Sequence, residues 1–222
     1  MVKEGDRYEL QPKSDVIEDR SSLKELIHIF DGDLNEIGNA KTALSKSWFD
    51  NSRTSIKVKQ LKDNLYNYLR NRQKANAERI QWTTFKDAKN KIKGEGFIKE
   101  EPENNTNRDV GQACFTSFNL RATKKYKHKD VLAFCLYRFM NPIEKHFFDQ
   151  QNVKVDEDLL ALSDLLQWIF RSAVRDGKPI NIYIPSRRMR DLLKKWLNNE
   201  LPCSNVSNAS DVFPRKLASR PC

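Results

Sequence analysis

A chain of 222 residues, 38% hydrophobic and 32% charged, has room for one domain with a substantial core or two small ones, and its composition is that of a soluble globular protein. Its 40 Lys and Arg against 30 Asp and Glu leave a net charge of +10, a field that attracts phosphate backbones. No apolar run approaches the roughly 18 residues of a membrane span, and residues 1–15 lack the apolar stretch of an export signal, so a cytoplasmic protein without membrane contact is expected.

The four cysteines (Cys114, Cys135, Cys203, Cys222) form no C-x-x-C pair, and His28, His128 and His146 add no zinc-ligand spacing; free thiols and no metal site follow. The charge is uneven. Residues 1–50 hold 7 basic against 11 acidic side chains, whereas residues 51–100 hold 13 against 5.

Residues 1–20 are charged and weakly patterned, and read as a flexible lead-in. "SSLKELIHIF" (21–30) opens with serine caps and sets Leu23, Leu26, Ile27 and Phe30 at helical spacing, which predicts a short helix. A turn at "DGDLNEIGN" and a second helix over 39–49 follow. The segment 55–76 places Val58, Leu61, Leu65, Tyr68 and Leu69 on one face with basic residues opposite, and should be the longest helix of the first half. A mostly helical segment over 21–77 results.

From residue 78 the period changes, and an α/β domain over 78–200 is expected. "RIQWTTF" (79–85) is β-branched and aromatic enough for a strand, "KDAKNKIKGEGF" reads as a basic helix broken by Gly94 and Gly96, and "ACFTSFN" (113–119) is a second strand candidate. The loop after it carries Arg121, Thr123, Lys124, Lys125, Lys127, His128 and Lys129, a basic track around Tyr126 suited to a nucleic-acid backbone, although a flexible lysine loop looks the same. "VLAFCLYRFMNP" (131–142) is apolar throughout, so period cannot separate strand from buried helix; a helix is the expectation.

Helices over 143–151 and 157–175, a strand over 180–185 and a helix over 186–200 complete the pattern, and 201–222 reads as a disordered tail. Strands separated by helices argue for a mainly parallel sheet.

Within 157–175, Gln167, Arg171 and Arg175 recur at four-residue steps and, on a continuous helix, would stand above one another. Two guanidinium forks one turn apart match phosphate oxygens. The alternative is the solvated side of an amphipathic helix. In "SRRMRDLLKKW", Arg187 and Arg188 at a helix start also suit phosphates, and a solvated surface helix is again the other reading. The acidic run at 156–158 fits helix capping better than metal binding.

The order of segments resembles the second RecA-like lobe of superfamily 2 helicases, the group of the DEAD/DEAH-box proteins, and is most similar to helicase-like proteins of phages and other mobile elements. "RIQWTTFKDAKNKIKGEGF" stands where that lobe's first strand and helix lie. "CFTSFNLRATKKY" resembles its strand and nucleic-acid loop, and "LLQWIFRSAVR" its arginine-finger helix. The resemblance spans roughly residues 78–197. It implies that Arg171 and Arg175 contact nucleotide phosphates with Gln167 positioning them, and that nucleic acid, with DNA the expected form, is the partner. Phe170 replaces the family's glycine, and Arg175 stands eight residues after Gln167 where seven is usual.

No G-x-x-x-x-G-K-[ST] loop and no acidic D-E-A-D-type box occur, so ATP hydrolysis by this chain alone is not expected. ATP with magnesium would require a partner lobe from another chain. The other class of function compatible with the residues is a non-enzymatic, basic interaction or regulatory protein of a mobile element.

Overall fold

The computed structural model describes residues 2–4, 7–9, 20–101, 111–120, 123–151 and 155–201. Arg121, the expected tail after residue 201 and most of the expected lead-in lie outside these. Two short strands, β1 (Val2–Glu4) and β2 (Arg7–Glu9), pair antiparallel. The main sheet contains β3 (Ile27–Ile29), β4 (Ile80–Thr83), β5 (Val131–Phe134) and β6 (Ile180–Tyr183), in the order β3-β6-β5-β4 and all parallel. The expected α/β class with a parallel sheet is thus the observed one.

Helices cover both faces of this sheet. They are α1 (Ser21–Leu26), α2 (Lys46–Asp50), α3 (Ser55–Tyr66), α4 (Lys89–Ile92), α5 (Pro142–Gln150), α6 (Glu157–Ile169) and α7 (Arg187–Leu197). One core joins Val58, Leu61 and Leu65 of α3 to Ile80, Trp82, Val131 and Ala133; the other joins Leu162, Leu165 and Trp168 of α6 and Met189 and Leu193 of α7 to Leu132, Phe134, Ile180 and Ile182. Successive residues of β5 therefore point into opposite cores. Burial of each such large side chain stabilises the fold by about 1.5–3 kcal/mol.

Two-sided burial explains the first correction to the sequence reading. The run 131–142, expected as a helix, begins with strand β5, because a central parallel strand is apolar at every position and has no alternation to read. The second correction concerns 21–30. Only Ser21–Leu26 is helical; Ile27, His28 and Ile29 form an edge strand in register with Ile180, Asn181 and Ile182 of β6. The mostly helical segment 21–77 thus also supplies a strand of the sheet.

Other elements are shorter than expected. The helix expected over 39–49 is confined to α2, whose start is set by Ser45 Oγ accepting from the Trp48 amide at 3.2 Å. The expected strand 113–119 pairs with β4 only through a single parallel bridge, Trp82 with Phe115. Its neighbour Thr116 instead accepts hydrogen bonds at Oγ1 from Gln81 at 3.1 Å and from the Trp168 indole at 2.9 Å. Helix α3 runs on into a π-helical turn, Asn67–Arg72, close to the expected extent.

The most consequential shortening is at α6. The helix expected over 157–175 ends at Ile169; Ser172 is extended, with φ −89° and ψ −169°, and a 3-10 turn over Ala173–Asp176 leads to Gly177 at φ 69°. The amide of Ala173 is taken by the Lys129 carbonyl at 2.9 Å, so a distant loop, not the helix, claims that backbone group.

Candidate functional site

The two ends of a parallel sheet differ chemically, because connections leave from the carboxyl ends and ligands of open α/β sheets bind there, where adjacent strands send their chains to opposite faces. Adjacent strands β3 and β6 do this. The chain after β3 enters the core of α3 through Leu34, Ile37 and Ala43, whereas the chain after β6 enters α7 and the opposite core. Between these diverging segments lies a crevice of about 290 Å³, lined by Gly38–Lys41, Tyr137, Asp158, Leu192 and the α7 side chains Arg187, Arg188, Asp191 and Lys195.

Its wall is tightly made. The 38–41 turn is pressed onto the β6–α7 connection so closely that a Cβ at Gly38 would lie 1.9 Å from the Pro185 carbonyl oxygen. Arg188 is anchored: Nε donates to Asp158 at 2.6 Å, other guanidinium nitrogens donate to the carbonyls of Arg138 at 2.8 Å and Glu157 at 3.1 Å, and the group lies over the Tyr137 ring. Arg187 is exposed, with Asp191 at 3.7 Å.

The other expected residues gather at the amino end of the sheet. The loop before β5 and the turn before β6 meet there, joined by the Ala173–Lys129 backbone bond and by Lys127 paired with Asp176 at 3.4 Å. Lys124, Lys127, His128, Arg175 and Lys178 are exposed on this rim, and Lys125 is half-buried. Burial and Lys129 together hold the His128 imidazole below its ordinary pKa, burial being the larger effect. Thr123 is local in role, its Oγ1 accepting from the Lys125 amide at 3.3 Å.

Two expected contact residues are turned inward. Lys129 is fully buried, and its ammonium donates to the Ile80 carbonyl at 2.9 Å; burial brings its pKa down to about 8. Arg171 is buried as well, donating to the carbonyls of Phe118 at 3.3 Å and of Leu120. Desolvation lowers its pKa from the ordinary arginine value.

The four-residue stripe is therefore not formed. Gln167 lies exposed on α6 and donates to Ser163 at 3.1 Å, Arg171 follows the helix end and packs inward, and Arg175 projects from the later turn. Four-residue spacing aligns side chains only on a continuous helix, and α6 ends at Ile169, before Arg171 and Arg175. Lys41 and Tyr137 carry no local signal in the sequence, and their convergence with Lys195, part of the basic run of "SRRMRDLLKKW", depends on the long-range contact between Gly38 and Pro185. No helix among the described residues is long and apolar enough to cross a membrane.

Comparison with known proteins bears on the same segment. A family model described as the YonV C-terminal Rossmann-like domain matches residues 21–197. The SPbeta prophage-derived uncharacterized protein YonV of Bacillus subtilis (strain 168) is 40% identical over 202 residues, which is 90% of this chain and 45% of that relative, so the chain spans less than half the relative's length. No solved structure matches. The expected kinship with phage proteins agrees with a prophage-derived relative, and of the expected helicase second lobe the match supports only the broader Rossmann-like fold. With the match covering both cores and all four strands of the parallel sheet, the chain belongs to the YonV C-terminal Rossmann-like domain family.

Proposed function

We propose that this domain binds nucleic acid, with DNA the expected form, by contacting backbone phosphates through the basic rim at the amino end of its sheet. The observation that carries the reading is the meeting of two sequence-distant segments there, which exposes Lys124, Lys127, Arg175 and Lys178 together. Asp176, the acid beside them, is already paired with Lys127. Contacts of this kind fix position on a duplex or strand without reading sequence, and each one made adds to the salt dependence of binding.

In this reading the domain does not turn over ATP unaided. A helicase-type role would require a first lobe carrying ATP and magnesium, supplied by another chain or by a longer protein. Gln167 and Arg175, both exposed, would be the residues able to reach that nucleotide, whereas Arg171 would first have to leave the carbonyls of Phe118 and Leu120.

The test is fluorescence anisotropy of labelled single-stranded and duplex DNA at several salt concentrations. Wild type is expected to bind with a steep salt slope, and Lys124→Ala/Arg175→Ala/Lys178→Ala to bind more weakly with a shallower one. Equal binding by both proteins, or none by either, rejects the rim as a nucleic-acid surface.

A further inference from the structure

We infer that the crevice at the head of α7 is a site for a phosphate ester of mononucleotide size, held by Lys41, Arg187 and Lys195. This inference does not rest on nucleic-acid binding by the rim, which lies at the opposite end of the sheet.

Charge is the first ground. Four cations line the crevice, Lys41, Arg187, Arg188 and Lys195, against two carboxylates. Asp158 is engaged by Arg188 at 2.6 Å, and Asp191 lies 3.7 Å from Arg187. Lys41 and Lys195 have no carboxylate partner among the described residues, and both are exposed at the mouth. The excess of two positive charges suits a phosphate monoester dianion.

Helix electrostatics point the same way. A helix start is normally made acidic, as in α6, where Asp156 accepts from the amides of Asp158 at 2.9 Å and Leu159 at 3.0 Å and Glu157 and Asp158 follow. Helix α7 has the opposite arrangement. It begins with Arg187 and Arg188, has no acid in its first turn, and its N-cap Ser186 makes no side-chain cap bond. Positive side chains are thus added to the positive end of the helix dipole; Asp158 offsets Arg188, Asp191 lies only at 3.7 Å from Arg187, and a further anion at this helix start would be favoured.

Shape and position complete the argument. The volume of about 290 Å³ lies at the lower edge of small-ligand pockets, which start at about 300 Å³, so it takes one nucleotide unit and not a dinucleotide. Tyr137 and Leu192 give the lining an apolar part for a sugar or base, and Gly38, Asn39 and Ala40 line it as well. The ester is either a free nucleotide or the terminal phosphate of a nucleic-acid strand; the chemistry recognised is the same.

Isothermal titration calorimetry on the full chain decides this, with a nucleoside 5′-monophosphate, the matching nucleoside, and a short oligonucleotide with and without a 5′-phosphate. Arg187→Ala/Lys195→Ala and Lys41→Ala change exposed side chains, and an unaltered melting curve establishes that they fold. Wild type is expected to bind a phosphorylated probe and not the nucleoside, with at least a tenfold loss of affinity in the double variant. Binding of the monophosphate identifies a free nucleotide as ligand; binding only of the 5′-phosphorylated oligonucleotide identifies a strand end.

The inference is overturned if no phosphorylated probe binds, if the nucleoside binds as well as its phosphate, or if the variants bind like wild type. The rim variant Lys124→Ala/Arg175→Ala/Lys178→Ala should leave monophosphate binding unchanged, so failure at the crevice and failure at the rim are read separately.

Discussion

The ammonium group of Lys129 lies 2.9 Å from the carbonyl oxygen of Ile80, with the carbonyls of Ala77 and Glu78 each at 3.4 Å, in a side chain with 0% exposure. A cation thereby satisfies main-chain acceptors at the entry to β4. Burial brings its pKa from 10.5 to about 8, so between these values the unfolded chain holds more protons than the folded one, and stability must rise with pH. Compared with Lys129→Met, wild type should gain stability across this window at no more than about 1.4 kcal/mol per pH unit. Urea unfolding of both proteins at stepped pH measures it; a constant difference would mean that Lys129 is solvated in the folded state.

Arg171 and Arg175 should separate cleanly. Arg171→Met removes charge-assisted bonds to the carbonyls of Phe118 and Leu120 and leaves those acceptors without their donor, an expected loss of about 2–3 kcal/mol. Arg175 is exposed, and Arg175→Met should stay within about 0.5 kcal/mol of wild type. Equilibrium denaturation compares them. Equal stabilities would contradict the anchoring of the 118–120 turn by Arg171.

Gly38→Ala tests the wall of the crevice. The added methyl meets backbone, with the Pro185 oxygen at 1.9 Å and the Ser186 nitrogen at 2.8 Å, so the 38–41 turn and the start of α7 must separate. A loss of about 1–3 kcal/mol is expected, and any phosphate-ester affinity should fall with it. Gly177→Ala is the control, because its added Cβ meets nothing within 4 Å and strains only a residue with φ 69°. Thermal melts of both compare their stabilities, and titration of both with the phosphate ester should show that only Gly38→Ala also weakens binding at the crevice.

Thr83 offers a substitution expected to stabilise. It is fully buried on β4, and its hydroxyl has no hydrogen-bond partner. Thr83→Val keeps the β-branched shape and removes the unsatisfied group, so a gain of about 1 kcal/mol in unfolding free energy is expected. A loss on substitution would show that the hydroxyl is satisfied in solution.

The elements legible in the sequence were those whose cause is local. Helix α3 declared itself through Val58, Leu61 and Leu65 at helical spacing, α7 through its position after Pro185, and β6 through its β-branched run. The basic character was equally plain, because net charge needs no fold. Local information did not reach β3, whose Ile27 becomes strand by pairing with Ile180, or β5, where burial on both faces leaves no alternation.

For the candidate sites, the sequence alone determined that phosphate-seeking side chains are plentiful and that no loop for holding a triphosphate is present. Tertiary structure decided where those side chains go. Lys129 and Arg171 read in sequence as members of a basic track and a stripe, yet distant carbonyls draw both inward, while Arg187 and Lys195 meet Lys41 only because the turn after β3 packs on the start of α7. The physical reason is that charge and period are properties of neighbours along the chain, whereas burial and the end of the sheet at which a group emerges depend on segments far apart in sequence.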